Sequence, residues 1–140
     1  MDLVIDANRL FSVIITKRLN SAAMEIFFSD GVNFFAPFRM LAELENNREE
    51  LRLKSGFSHE DFDNFACIIK LRVKFIPLED FIDKISDAKD VSTHSKDIEY
   101  FALGLHLNCP VWSDEKAFKK QSSVKVFNTS ELLKELGLKK

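Results

Sequence analysis

Five short apolar runs, each followed by a stretch long enough for a helix, constrain this chain more than any other feature. They are DLVID (2–6), VNFFAP (32–37), VKFIP (73–77), PVWSD (110–114) and VKVF (124–127). Most of these runs are apolar without alternation, the pattern of strands buried on both faces. Between them lie helical candidates. Strands alternating with helices in this way call for one parallel sheet with helices on both sides, because parallel strands need long right-handed crossovers. The predicted architecture is therefore a three-layer α/β/α sandwich with five parallel strands. The 140 residues suit one domain over 1–140, and no repeat or linker divides them.

The helices are read from caps and periodicity. Asn8 is placed as cap of a helix through LFSVIITKR (10–18), and Ser21 as cap of 21–31. One long helix is expected over 38–56, closing at Gly56. Ser58 opens 58–72, and 78–89 is helical. The polar stretch 90–97 reads as a loop, 97–108 as a helix, 115–121 as a short helix, and 130–137 as a terminal helix capped by Ser130.

Composition narrows the function classes. The net charge is -2, so a nucleic-acid binder of this charge must rely on a local basic patch. Cys67 and Cys109 form no CxxC, which argues against zinc, and their spacing alone decides nothing about a disulfide. No signal peptide precedes LVIDAN, and no apolar run approaches the roughly 20 residues of a membrane span, so a cytoplasmic protein with reduced thiols is expected. Fourteen Phe against one Trp and one Tyr predict a ring-rich core.

The carboxylates carry the chemistry. In open α/β sheets the functional crevice lies beyond the carboxyl ends of the strands. Asp6 ends the first strand, Asp114 follows the apolar part of the fourth, Asp97 opens the helix before it, and Glu43 lies about two turns into the helix after the second. Each acid alone has an ordinary structural role as turn residue, cap, first-turn acid or solvated side chain. Together they would repel, by about 4 kcal/mol for a pair about 4 Å apart at an effective dielectric of about 20. A cation offsets that. An all-oxygen donor set suits Mg²⁺ or Mn²⁺. Leu41 and Leu44 bracket Glu43 on the apolar side, which favours it over Glu45. Glu99 and Glu115 are placed on the surface as reserve ligands.

LVIDAN, APFRMLAELEN and KDIEYFALGLHLNCPVWSDEKAF together resemble the PIN-domain ribonucleases, particularly the small prokaryotic ones of the VapC toxin type. In that family an acid opens a helix of the form DxxxxALAxxLxxP, followed by a strand ending in W/T-S/T-x-D. Here the acids are Asp97 and, with no residue intervening after Ser113, Asp114. The resemblance spans nearly the whole chain. It implies strand order 3-2-1-4-5 and divalent-metal phosphodiesterase activity on RNA, with Asp6, Glu43 and Asp97 at the centre and Asp114 completing the site. Hydrolysis would use a metal-activated water, and a second ion could arrive with substrate. Family members often carry a hydroxyl residue two positions after the first acid. Asn8 stands there, able to bond Asp6 or a water on the metal, and Ser113 is suited to similar support.

Arg9, Lys116, Lys119, Lys120 and Lys125 are the candidate phosphate contacts, against the plainer reading of a solvated lysine face. Surplus apolar helix surface points to a homodimer or an antitoxin partner. His94 is left without a role. Haloacid-dehalogenase chemistry would want a second Asp at position 8, and a receiver domain would want an acidic pair at the first strand's end. Neither is present. The remaining alternative is a non-catalytic PIN-like module that binds RNA or protein.

Overall fold

The computed structural model describes residues 1–15, 21–92 and 94–138. Its sheet is five-stranded and fully parallel, in the order β3-β2-β1-β4-β5, with β1 Asp2–Ile5, β2 Asn33–Pro37, β3 Val73–Ile76, β4 Val111–Trp112 and β5 Val126–Phe127. This is the expected order. Leu3, Val4 and Ile5 have no exposed surface, as an unbroken apolar run in a central strand requires. The edge strand β3 instead exposes Lys74 between buried Val73 and half-buried Phe75, and a lysine there discourages pairing with another chain.

Helices surround the sheet. The first group is α1 (Ala7–Ile15), α2 (Ala22–Phe27), α3 (Arg39–Asn46), α4 (Arg48–Ser55) and α5 (His59–Arg72). Then come α6 (Leu78–Phe81), α7 (Ile85–Val91), α8 (Ser95–Leu107) and α9 (Thr129–Glu135). α8 lies against β1, β2 and β4 with α7 beside it, while α1 packs on α2 and α4, and α2 on α9. Gly104 permits this close approach of α8, because a Cβ there would stand 3.1 Å from Val124 and 3.3 Å from Val111. Seven of the phenylalanines are buried, and Phe28 and Phe38 are exposed.

Several local expectations need correction. The cap of α1 is Asp6, whose Oδ1 accepts from the Arg9 amide at 2.8 Å, and not Asn8. The predicted extension of that helix to residue 18 falls partly outside the described residues. The long helix expected over 38–56 is interrupted at Asn47 (φ -100°, ψ 10°), where the backbone amide at 3.0 Å and the side-chain amide at 2.7 Å both donate to the Glu43 carbonyl. The stretch 90–97 is mostly not loop. α7 runs to Val91, held by buried Ala88 and half-buried Val91, and α8 starts at Ser95. The terminal helix is capped by Asn128, not Ser130. Asn128 and Glu131 form a reciprocal capping box. Residues 116–120 form a 3₁₀ turn.

Candidate active site

Beyond the carboxyl ends of β1, β2 and β4 the surface sinks into an open cleft of about 650 Å³. Asp6 reaches it from the end of β1, Glu43 from α3, Asp97 from the first turn of α8, and Glu115 from the turn after β4. Asn8, Asn47, His94, Ser95, Lys96 and Tyr100 share the wall.

Asp6 is the most constrained of the four acids. Its amide still donates to the Trp112 carbonyl at 3.3 Å, so the residue is both the last link of the sheet and the first of α1. Only 2% of its surface is exposed. Oδ1 is occupied by the Arg9 amide, whereas Oδ2 is buried with no hydrogen-bond partner. Burial pushes the carboxyl up from an ordinary 3.8 to about 6. The nearby Ser113 hydroxyl, which makes no aligned bond to Oδ2, the Arg9 amide and the Arg9 charge pull against burial, and Glu115 adds to it. Burial and then Glu115 also push Asp97 up, with His94 opposing. Tyr100, buried beside Glu43 and Asp6, has its phenol raised by burial first and by those two carboxylates next. Three groups around one cleft thus resist carrying negative charge.

Asp114 does not line this cleft. Its Oδ1 accepts from the Thr129 amide at 2.6 Å, and its Oδ2 accepts from the Thr129 hydroxyl at 2.8 Å and from Arg9 Nη1 at 2.7 Å. Trp112, fully buried, donates its indole N–H to the same Thr129 hydroxyl at 3.1 Å. Asp114 therefore fastens the starts of α1 and α9 to the end of β4. Its neighbour Glu115, placed by the sequence on the surface, turns into the cleft instead. The Glu115 amide donates to the Ser113 hydroxyl at 3.1 Å, and Glu115 Oε1 accepts from the Asn8 side chain. Asn8 thus supports Glu115 rather than Asp6. A signal for Glu115 was available, since the pattern S/T-x-D counted from Ser113 with its intervening residue lands on position 115.

Between the rival glutamates of α3, Glu43 faces the cleft and Glu45 is exposed outside its lining. Arg39 stands 3.7 Å from Glu43 and 3.0 Å from Glu99. Among the phosphate candidates, Arg9 is bound to Asp114 and Lys119 to Glu131. Lys125 lies over the Phe127 ring, and Lys116 and Lys120 are exposed outside the cleft.

Asp6, Glu43, Asp97 and Glu115 are the residues able to hold an ion here. The buried, unpartnered Oδ2 of Asp6 and the all-oxygen donor set fit a hard divalent cation. Among the described residues, no three of Asp, Glu, His or Cys stand close enough to enclose one as they are. Glu43 has Arg39 beside it and Glu115 is held by Asn8, so the acids share the cleft while keeping apart, as like charges do.

A family model described as a PIN domain matches residues 4–137. Among solved structures, that of VapBC2 from Rickettsia felis bound to a DNA fragment from their promoter contains a similar chain. The TM-score is 0.65 at 13% identity, and the match covers 91% of this chain and 98% of that one. At that identity the likeness is one of fold. No curated protein matches.

Proposed function

We propose a function from one premise: the chain belongs to the PIN-domain family. The reading is a divalent-metal-dependent ribonuclease that hydrolyses RNA phosphodiesters, with Asp6, Glu43, Asp97 and Glu115 holding Mg²⁺ or Mn²⁺. One observation carries it. A carboxylate oxygen that is buried, unpartnered and set in a cleft with three further carboxylates is costly unless a cation completes it.

Each residue has a separable task. Asp6 is anchored through Oδ1, so Oδ2 is the atom left for the ion. Asn8 orients Glu115, and Ser113 fixes the turn that aims it. Tyr100, buried in the same wall, has its phenol pushed up by burial and by Glu43 and Asp6, so it adds no further negative charge to the cleft. A bound divalent ion supplies Lewis acidity, lowering the pKa of a water and offsetting charge on the phosphoryl group.

The fold likeness to a chain of a VapBC2 structure supports a further reading as the toxin of a toxin–antitoxin pair. Exposed Leu53, Ile68 and Leu71 offer apolar surface for an antitoxin or a second copy in a homodimer. Among the described residues no helix is long and apolar enough to cross a membrane.

The test is cleavage of a mixed RNA pool with Mn²⁺, wild type beside Asp97→Asn, with product ends mapped. Wild type cuts and the variant does not. Equal cutting by both, or none by wild type, refutes the reading. The approach of Arg39 to Glu43 favours one alternative, a binding module whose acids are neutralised within the protein. Calorimetry separates the two. An absent Mn²⁺ isotherm, or one unchanged by Asp6→Asn, selects the binding module.

A further inference from the structure

The ribonuclease reading leaves a problem of charge. Four carboxylates repel the polyanion they are meant to cut, and an ion among them offsets only part of that. The basic side chains singled out from sequence do not solve it. Arg9 and Lys119 are held in ion pairs, and Lys116 and Lys120 stand outside the cleft.

The cleft wall itself carries two other groups. We propose that His94 and Lys96, on the approach to and first turn of α8, are the substrate-phosphate contacts of this site, a proposal that rests on the ribonuclease reading. Both line the cleft and both are exposed. His94 occupies the cap position of α8 but makes no side-chain cap bond, so its ring is not committed to the helix start. An imidazole donates a hydrogen bond in either neutral tautomer, so the contact does not require His94 to be charged. Lys96 supplies the fixed positive charge, beside Asp97 in the chain. The first turn of α8, thirteen residues long, adds the partial positive charge of a helix N-terminus on the same wall. Because Asp97 is on that turn too, the strand is positioned by the element that carries part of the ion site.

The test uses the full chain with a labelled single-stranded oligoribonucleotide and Mn²⁺. His94→Ala and Lys96→Gln each raise KM about tenfold, the loss of one charge-assisted contact to phosphate. In both, kcat and calorimetric Mn²⁺ affinity stay within about twofold of wild type, and Lys96→Arg restores KM. The double variant Lys116→Gln/Lys120→Gln shifts KM less than Lys96→Gln does. Unchanged KM in the α8 variants, or a larger effect from the 116/120 pair, overturns the proposal. A fall in Mn²⁺ affinity in His94→Ala also overturns it, by making His94 a ligand. If wild type fails to cleave, fluorescence anisotropy of the intact strand replaces KM. Binding that weakens about tenfold in the α8 variants then keeps these contacts while refuting catalysis, and no binding by wild type refutes both.

Discussion

Neutralising Asp6 should stabilise the metal-free protein, by an amount that depends on pH. The folded chain holds the Asp6 carboxyl at about 6 against an ordinary 3.8. Between those values the folded state binds more protons than the unfolded one, so stability falls as pH rises through the window. A gap of about 2 units at about 1.36 kcal/mol each gives a penalty of about 3 kcal/mol at pH 7, most of it gone by pH 4. Asp6→Asn removes the titration and keeps a residue that caps a helix as well as Asp does. The assay is urea or thermal denaturation of both proteins in EDTA from pH 4 to 8. Other carboxylates contribute to both curves and largely cancel in the difference. That difference should grow by about 2 kcal/mol from pH 4 to pH 7, or about 6–10 °C in melting temperature for a chain of this size. Saturating Mn²⁺ should then stabilise wild type selectively, by about 2.7 kcal/mol at 100 times its Kd. A difference that does not change with pH, or a variant less stable than wild type at pH 8 in EDTA, refutes the argument.

Other substitutions separate the two acids that follow β4. Asp114→Ala should lower stability by about 1–3 kcal/mol through the stranded Thr129 amide and Arg9 guanidinium, while calorimetric Mn²⁺ affinity stays within about twofold. Glu115→Gln should do the reverse, leaving the urea midpoint near wild type and weakening Mn²⁺ by at least about tenfold, the lower bound for losing even a supporting partner of a metal site. Thr129→Val should cost about 1–3 kcal/mol, measured by urea denaturation, because it leaves the Trp112 indole N–H buried without a partner.

The sheet was legible because its signal is redundant. Leu3, Val4 and Ile5 must be buried on both faces, Pro37 and Pro77 bound their strands, and parallel pairing follows from the intervening helices. Caps were less legible because they are contests between neighbours of similar chemistry. Asp6 and Asn8 both suit an N-cap, and the winner is the residue at which the chain leaves the β ladder, which the sheet decides. Asn128 prevails over Ser130 because only Asn128 has a Glu three residues on to close the box. Asn47 interrupts its helix through a turned backbone, with its side chain adding a second bond to the Glu43 carbonyl, and the sequence around it, rich in helix formers, masks that turn.

The site was legible to the extent that topology decides it. Acids that end β1, follow β2 and open the helix before β4 reach the same edge of the sheet whatever their side chains bond. After β4 topology stops deciding, because Asp114 and Glu115 are adjacent and both leave the same strand end. Successive side chains on an extended backbone point to opposite sides, so only one of the pair can enter the cleft. What selects between them lies far away in the chain. The Thr129 amide and hydroxyl and the Arg9 guanidinium all need an acceptor on the side facing α1 and α9, and the shorter Asp114 meets all three. That leaves Glu115 to the cleft, where Asn8 holds it. An acid next to a strand end is thus a candidate ligand only once the donors competing for it have been counted, and at position 114 those donors are enough to keep it out of the cleft.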